Sequence, residues 1–209
     1  MTYKLVCFDM DGVLFEGNNF WLRLHKALGT YEEGKELTEK YLKTDYAKLV
    51  KEVVGRLWKG KNADPYFDLV ASTEYIFGVK DTFSELKKRG IKTVIISSGP
   101  KHLVERARDE LGVDYVFSNN LMVSNGIITG EFDWPIGFGS KAKFLKEVCD
   151  KENVLLSEVV SVGDNDNDVE KAKLVGFSIA FNSGSDELRS VCDVEIKKKD
   201  LREILPYLS

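Results

Sequence analysis

The strongest constraint on this chain is a rhythm: short apolar runs that break off at a polar or glycine-containing loop, separated by stretches of helical periodicity. Tyr3 to Phe8 is the first such run, and it stops at Asp9 as a buried strand does on meeting a loop. Asp81 to Arg89 is amphipathic and closed by Gly90, and the run Thr93 to Ile96 follows, ending at Ser97-Ser98-Gly99-Pro100. A helix over Lys101 to Leu111 has Pro100 near its first turn and Gly112 at its C-terminus, and it leads to the apolar segment Val113 to Phe117. Leu121 to Val123 and Ile127 to Phe132 flank Ser124-Asn125-Gly126, where Asn-Gly is a strong hairpin signal, so a small antiparallel excursion is expected there. Beyond it, Lys141 to Asp150 reads as a helix, Val159 to Val162 as a buried strand and Val169 to Val175 as a helix closed by Gly176. Phe177 to Phe181 reads as a strand and Asp200 to Leu208 as a final helix.

Strands alternating with helices of this length demand an α/β fold, a Rossmann-like parallel sheet with helices on both faces and right-handed crossovers. Ligands then belong at the C-terminal ends of the strands. With 209 residues, 43% of them apolar, the chain suits one such domain with a modest insertion. Residues 16–77 are that insertion: they carry Leu, Trp, Tyr and Val at mixed helical spacings and almost no strand signal. A small helical cap inserted after the first strand is expected, leaving residues 1–15 and 78–209 as the core domain.

The net charge of −4 is spread over interspersed Lys and Glu, which argues against nucleic acid as a partner. The basic run Lys197-Lys198-Lys199 reads as solvated surface. Cys7, Cys149 and Cys192 are widely spaced with no CxxC pair, so reduced core thiols are expected rather than disulfides or a zinc site. No apolar stretch has the length of a signal peptide or membrane span, so neither a membrane partner nor export is expected, and the cytoplasm is the expected compartment. Nothing in the pattern sets an oligomeric state.

Asp9-Met10-Asp11-Gly12-Val13 sits where the first strand opens into its loop, putting two carboxylates two residues apart at the ligand-binding edge of the sheet. Alone, this serves equally well as an exposed turn. A second acidic cluster, Gly163-Asp164-Asn165-Asp166-Asn167-Asp168, follows another buried strand and is richer than a turn needs. Two such clusters at neighbouring strand ends repel unless a cation lies between them, and Mg2+, a hard ion that binds oxygen ligands together with phosphate, fits the demand. Between them in sequence stand Ser97, at the end of the second strand, and Lys141, just after Gly137-Phe138-Gly139-Ser140. Taken singly, Ser97 is an N-cap and Lys141 a surface lysine; together with nearby backbone N–H groups they are what a phosphoryl group requires.

The four elements in this order, each at a strand end or helix start, resemble the haloacid dehalogenase superfamily along the whole chain, and most of all its phosphoserine phosphatase branch. The resemblance implies a Mg2+-dependent hydrolase of a small phosphate ester that works through an aspartyl-phosphate intermediate. Asp9 would be the nucleophile, Asp11 the acid and later the base, and Lys141 the neutralising cation. The metal would be held by the carboxylates of Asp9 and Asp164 and the carbonyl of Asp11, with Asp168 behind them. Ser97, Ser98, Gly12 and Asn167 would meet the substrate.

Phosphoserine-specific members of the branch place a Glu in the cap where this chain has Asn18, and an Arg where it has Val53, with Arg56 a candidate substitute. The substrate is therefore expected to be a small phosphorylated metabolite, with alcohols, sugars and amino-acid derivatives all open and phosphoserine not singled out. A phosphotransferase or phosphomutase using the same Asp9 is the alternative, and a non-catalytic binding protein a remoter one. His25 and His102 read as structural, and Trp21, Tyr46, Trp58 and Tyr66 as cap core.

Overall fold

The computed structural model describes residues 3–17, 19–137 and 140–208. Seven strands form one sheet: β1 (Leu5–Phe8), β2 (Lys92–Pro100), β3 (Tyr115–Ser124), β4 (Ile127–Asp133), β5 (Val159–Gly163), β6 (Phe177–Phe181) and β7 (Val194–Ile196). Their order is β4-β3-β2-β1-β5-β6-β7, parallel throughout except for the β3–β4 hairpin. The chain leaves β1 towards β2 on one side and later crosses to β5 on the other. β1 and β5 are neighbours whose following loops diverge, and that is where a crevice opens at the strand ends.

Alternation along β1 explains why both faces are covered. Val6 and Phe8 belong to one hydrophobic cluster, with Phe83 and Leu86 of α5 (Val79–Lys88) and Leu103 and Val104 of α6 (Lys101–Leu111). Leu5 and Cys7 point the other way, into a cluster with Leu145 and Val148 of α7 (Lys141–Glu152). Phe8 is fully buried, its ring 4.9 Å from that of Phe83, a burial contributing on the order of 3 kcal/mol.

The segment between β1 and β2 is helical: α1 (Phe20–Ala27), α2 (Tyr31–Tyr41), α3 (Tyr46–Glu52) and α4 (Asp64–Ser72). Asn19 and Asp45 cap α1 and α3 by accepting from Leu22 N (3.1 Å) and Lys48 N (3.0 Å). Between α3 and α4, Val53–Trp58 winds as a π-helix, which turns Val53, Val54 and Trp58 inward together. The two connections to the sheet pair with each other: Glu16 N donates to Glu74 O (2.8 Å) and Ile76 N to Leu14 O (2.9 Å). Packing is continuous across these connections, for Phe20, Trp58 and Tyr66 share a hydrophobic cluster with Val6 and Phe8.

Several expectations need correction. The hairpin is no separate excursion: β3 runs unbroken from the parallel ladder into it, taking in both Val113 to Phe117 and Leu121 to Val123 apart from the first two residues. Asn125 and Gly126, both at positive φ (49° and 75°), make its turn as the sequence predicts. The helix expected over Val169 to Val175 shrinks to α8 (Val169–Ala172), preceded by a 3-10 turn over Asp166–Asp168. The expected final helix is a 3-10 helix, Leu201–Tyr207, with Pro206 inside it. α9 (Asp186–Val191) and β7 were not anticipated. Among the described residues no helix is long and apolar enough to cross a membrane.

Candidate active site

Asp9 is the first residue beyond β1, fixed by its N–H on Val162 O of β5 at 3.0 Å. The loop then folds tightly on Met10, whose carbonyl accepts from both Leu14 N (2.9 Å) and Phe15 N (3.1 Å). Gly12 lets that loop pass against the end of β5: its φ is +76°, and a Cβ there would lie 2.2 Å from Asp164 Oδ2. The two acidic clusters thus meet across the β1–β5 crevice, with ligand atoms of Asp9, Asp164 and Asp168 all within 4.8 Å of one another.

Two buried ammoniums sit behind them. Lys141, the first residue of α7 and only 1% exposed, places Nζ 2.8 Å from Asp9 Oδ1 and 2.8 Å from Asp168 Oδ1. Lys171, on α8, is fully buried, 3.1 Å from the same Asp168 oxygen, and donates to Val162 O at 3.0 Å. Asp168 Oδ2 accepts from Asp164 N at 3.1 Å, so both oxygens of Asp168 are committed to the protein. Despite burial, Lys141 and Lys171 hold the Asp168 carboxyl down at about 2. Burial and then the charge of Asp168 push Asp9 up, against the pull of Lys141. Burial and the Asp9 charge push Asp164 up to about 8, and burial pushes Asp11 up to about 7. Fully ionised, as a bound cation would favour, Asp9, Asp11, Asp164 and Asp168 would exceed Lys141 and Lys171 by two negative charges. Hard oxygen donors with a surplus of two negative charges suit a divalent cation such as those bound by carboxylates.

Asp11 stands apart from this network. Among the described residues no ion pair reaches it, and its Oδ2 accepts from Phe20 N, at the start of α1, at 3.1 Å. Ser97 is buried where the β2–β3 ladder shifts register, and its Oγ accepts from Gly99 N (3.0 Å); it is no helix N-cap, since α6 begins at Lys101. The Ser98 carbonyl is held by Trp21 Nε1 (2.9 Å) and Asn119 Nδ2 (3.1 Å). Asn167 has a buried Oδ1 without a hydrogen-bond partner. A cavity of about 240 Å3 joins these groups, reaching Asp9, Asp11, Ser97, Ser98, Asp164 and Asn167. Six of the predicted site residues therefore line one crevice, while Lys141 and Asp168 contact Asp9 and Asp164 behind it and Gly12 packs against Asp164. Phe138 and Gly139 of the glycine-rich stretch, and Asn18, lie outside the described residues.

Lys171 and Asn119 were missed by sequence reasoning. Lys171 follows Asp168 by three residues, the spacing of one helical turn, which was its only signal. Both histidines have partners: His25 Nδ1 lies 2.8 Å from Thr30 Oγ1, and His102 Nδ1 lies 2.8 Å from Tyr66 OH. Trp21, Tyr46 and Trp58 line the cavity, whereas Tyr66 does not. Arg56 is half-exposed, pairs with Glu33 and Glu52 at 2.6 and 2.7 Å, and is no part of the cavity wall.

Residues 3–176 match the family model of the haloacid dehalogenase-like hydrolases. A phosphoserine phosphatase of Methanocaldococcus jannaschii is 30% identical over 98% of this chain and 97% of its own length. One from Archaeoglobus fulgidus is 33% identical over 95% of this chain, which spans only 58% of that longer protein. A solved structure of a phospho-aspartyl intermediate analogue of phosphoserine phosphatase superposes with a TM-score of 0.87 at 29% identity, over all of both chains. A family match spanning most of the chain, a relative and a solved structure similar along nearly their whole lengths, and a crevice that gathers the acidic loops lead to one conclusion: this chain belongs to the haloacid dehalogenase-like hydrolases, and among them to the phosphatases.

Proposed function

We propose that the chain hydrolyses a small phosphomonoester with Asp9 as nucleophile, and that residues 16–77 act as a cap over a core of residues 1–15 and 78–209. The observation that carries this reading is the Asp9–Lys141–Asp168 contact at the β1–β5 crevice. One carboxylate oxygen of Asp9 is anchored at 2.8 Å by a buried ammonium that is itself anchored by a second carboxylate. Such a clamp holds a nucleophile in one orientation and offsets its charge as a phosphate dianion approaches.

In the first step an Asp9 oxygen forms a bond to phosphorus, and the bond from phosphorus to the alcohol oxygen breaks. Asp11, the carboxyl without an ammonium partner, gives its proton to that oxygen. In the second step water attacks phosphorus, Asp11 takes the proton, and inorganic phosphate leaves with Asp9 restored. Ser97 Oγ, backbone N–H groups of the Ser98 loop and Asn167 bind the phosphoryl oxygens, while Gly12 allows close backbone approach. The donor set fits Mg2+ held by the carboxylates of Asp9 and Asp164 and the carbonyl of Asp11; when bound, the ion supplies Lewis-acid charge to the phosphoryl group. Asp168, with both oxygens committed to the protein, supports Lys141 and Asp164 rather than the ion.

Asp9→Asn is expected to abolish phosphate release while circular dichroism and thermal midpoint show a folded protein. Turnover by this variant above about one thousandth of the wild-type rate refutes the nucleophile assignment.

A further inference from the structure

We infer that the alcohol released by this phosphatase is uncharged and has an apolar carbon body; this rests on the reading of Asp9 and its neighbours as the phosphoryl site. The cavity has two unlike walls. Around the strand ends it is polar and charged, as a phosphate requires. The opposite wall, from the helical segment, is built from Trp21, Tyr46, Leu49, Val53, Val54 and Trp58. The π-helical turn sets three of these six side by side facing the cavity.

Most polar groups on that wall have partners within the protein. Trp21 Nε1 is spent on Ser98 O (2.9 Å), and Trp58 Nε1 on His25 Nδ1 and Thr30 Oγ1, each at 3.2 Å. Thr38 Oγ1 donates to Gly34 O at 2.8 Å, and Asn19 Oδ1 caps α1. Lys43 reaches Asp166 at 3.3 Å. Burial holds His25 well below its ordinary value, to about 4, so it faces the cavity as a neutral ring. Among the described residues, the carboxylates that line the cavity, Asp9, Asp11, Asp164 and Asp166, all lie on the strand-end side.

A substrate with its phosphate at Asp9 projects its alcohol towards this wall. An amino-acid ester such as phosphoserine would set an ammonium and a carboxylate against the apolar side chains of Val53 and Val54, which offer neither ion a counter-charge, and burying ions against apolar surface is unfavourable. An alkyl or benzyl body instead leaves water for a surface of the same character and gains with each methylene.

The test is phosphate release by the full chain with Mg2+ from ethyl, butyl, hexyl and benzyl phosphate and from O-phospho-L-serine. Across the alkyl series the leaving alcohols have similar acidity, so chain length isolates burial. kcat/KM is expected to rise about threefold to fourfold per methylene until the wall is covered, carried mostly by KM. Butyl phosphate is expected to exceed phosphoserine at least tenfold. Val53→Asn should shrink the increment per methylene. A flat or falling alkyl series, or a preference for phosphoserine over butyl phosphate, overturns this inference and leaves the hydrolase reading standing. Release from none of the esters overturns the hydrolase reading, and this inference with it.

Discussion

Replacing Asp168 by Asn separates a structural role from a chemical one more sharply than any other change at this site. The substitution keeps the shape and removes one charge. Lys171 Nζ, fully buried, is then left without any carboxylate, with the Val162 carbonyl at 3.0 Å, and Lys141 keeps Asp9 at 2.8 Å as its one carboxylate. Breaking a buried pair by removing one partner costs about 3–5 kcal/mol, because an ion is left without its counter-charge. With an m value of about 2–3 kcal/mol per molar urea for a chain of this size, the midpoint should fall by about 1–2 M. Urea titration followed by tryptophan fluorescence, with Trp21, Trp58 and Trp134 as reporters, measures it. The control is Asp168→Asn/Lys171→Met: removing the stranded ammonium should return at least about 2 kcal/mol of the loss. If Asp168→Asn costs less than about 1 kcal/mol, or if the double variant is no more stable than the single one, the stranded-charge argument is wrong.

Asp11→Asn should slow alkyl phosphates far more than aryl phosphates, whose leaving groups need no proton; parallel losses in a rate comparison would contradict the acid role. Mg2+ at a hundred times its dissociation constant should stabilise the folded chain by about 2.7 kcal/mol, read as a thermal shift, and Asp164→Asn should abolish most of that shift. His25, held at about 4 by burial and against an unfolded value near 6.5, takes up its proton only on unfolding between those limits. Its contribution is therefore complete above pH 6.5 and lost as the pH falls towards 4. From pH 7 to pH 5 the wild type should lose about 1–2 kcal/mol more than His25→Gln, measured by denaturation at each pH.

Much of this was legible in the residues, and the exceptions share a cause. Strand ends, glycine stops and the Asn125-Gly126 turn follow from local backbone chemistry, so the sheet and the placement of Asp9, Ser97 and Asp164 could be read directly. α9 has six residues and β7 three, too short for any period to register. The π-helix over Val53–Trp58 was invisible for another reason: its periodicity differs from that of an α-helix, and tertiary packing stabilises it. Lys171 and Asn119 look like surface residues in sequence because their burial depends on partners that are distant along the chain or emerge only in the fold. Lys171 is committed to the Val162 carbonyl, and Asn119 to Ser98 and Ile136. Arg56 shows the reverse, a cation near the right place in sequence that the helix turns towards Glu33 and Glu52.

The unbroken course of β3 has a mechanical consequence. Its first half is locked into the parallel ladder, Tyr115 to Phe117 opposite Val94 to Ile96, while the hairpin it forms with β4 grips the end of the π-helical turn. Gly60 N donates to Ile128 O (2.9 Å), Ile128 N to Lys61 O (2.9 Å) and Ala63 N to Gly126 O (2.8 Å). Swinging the apolar wall away from the strand ends must either rupture these three bonds or twist β3 like a torsion bar. Any such twist would load Asn119, which ties the strand to Ser98 and Ile136. Access to the crevice is thereby geared to a residue that touches neither phosphate nor alcohol.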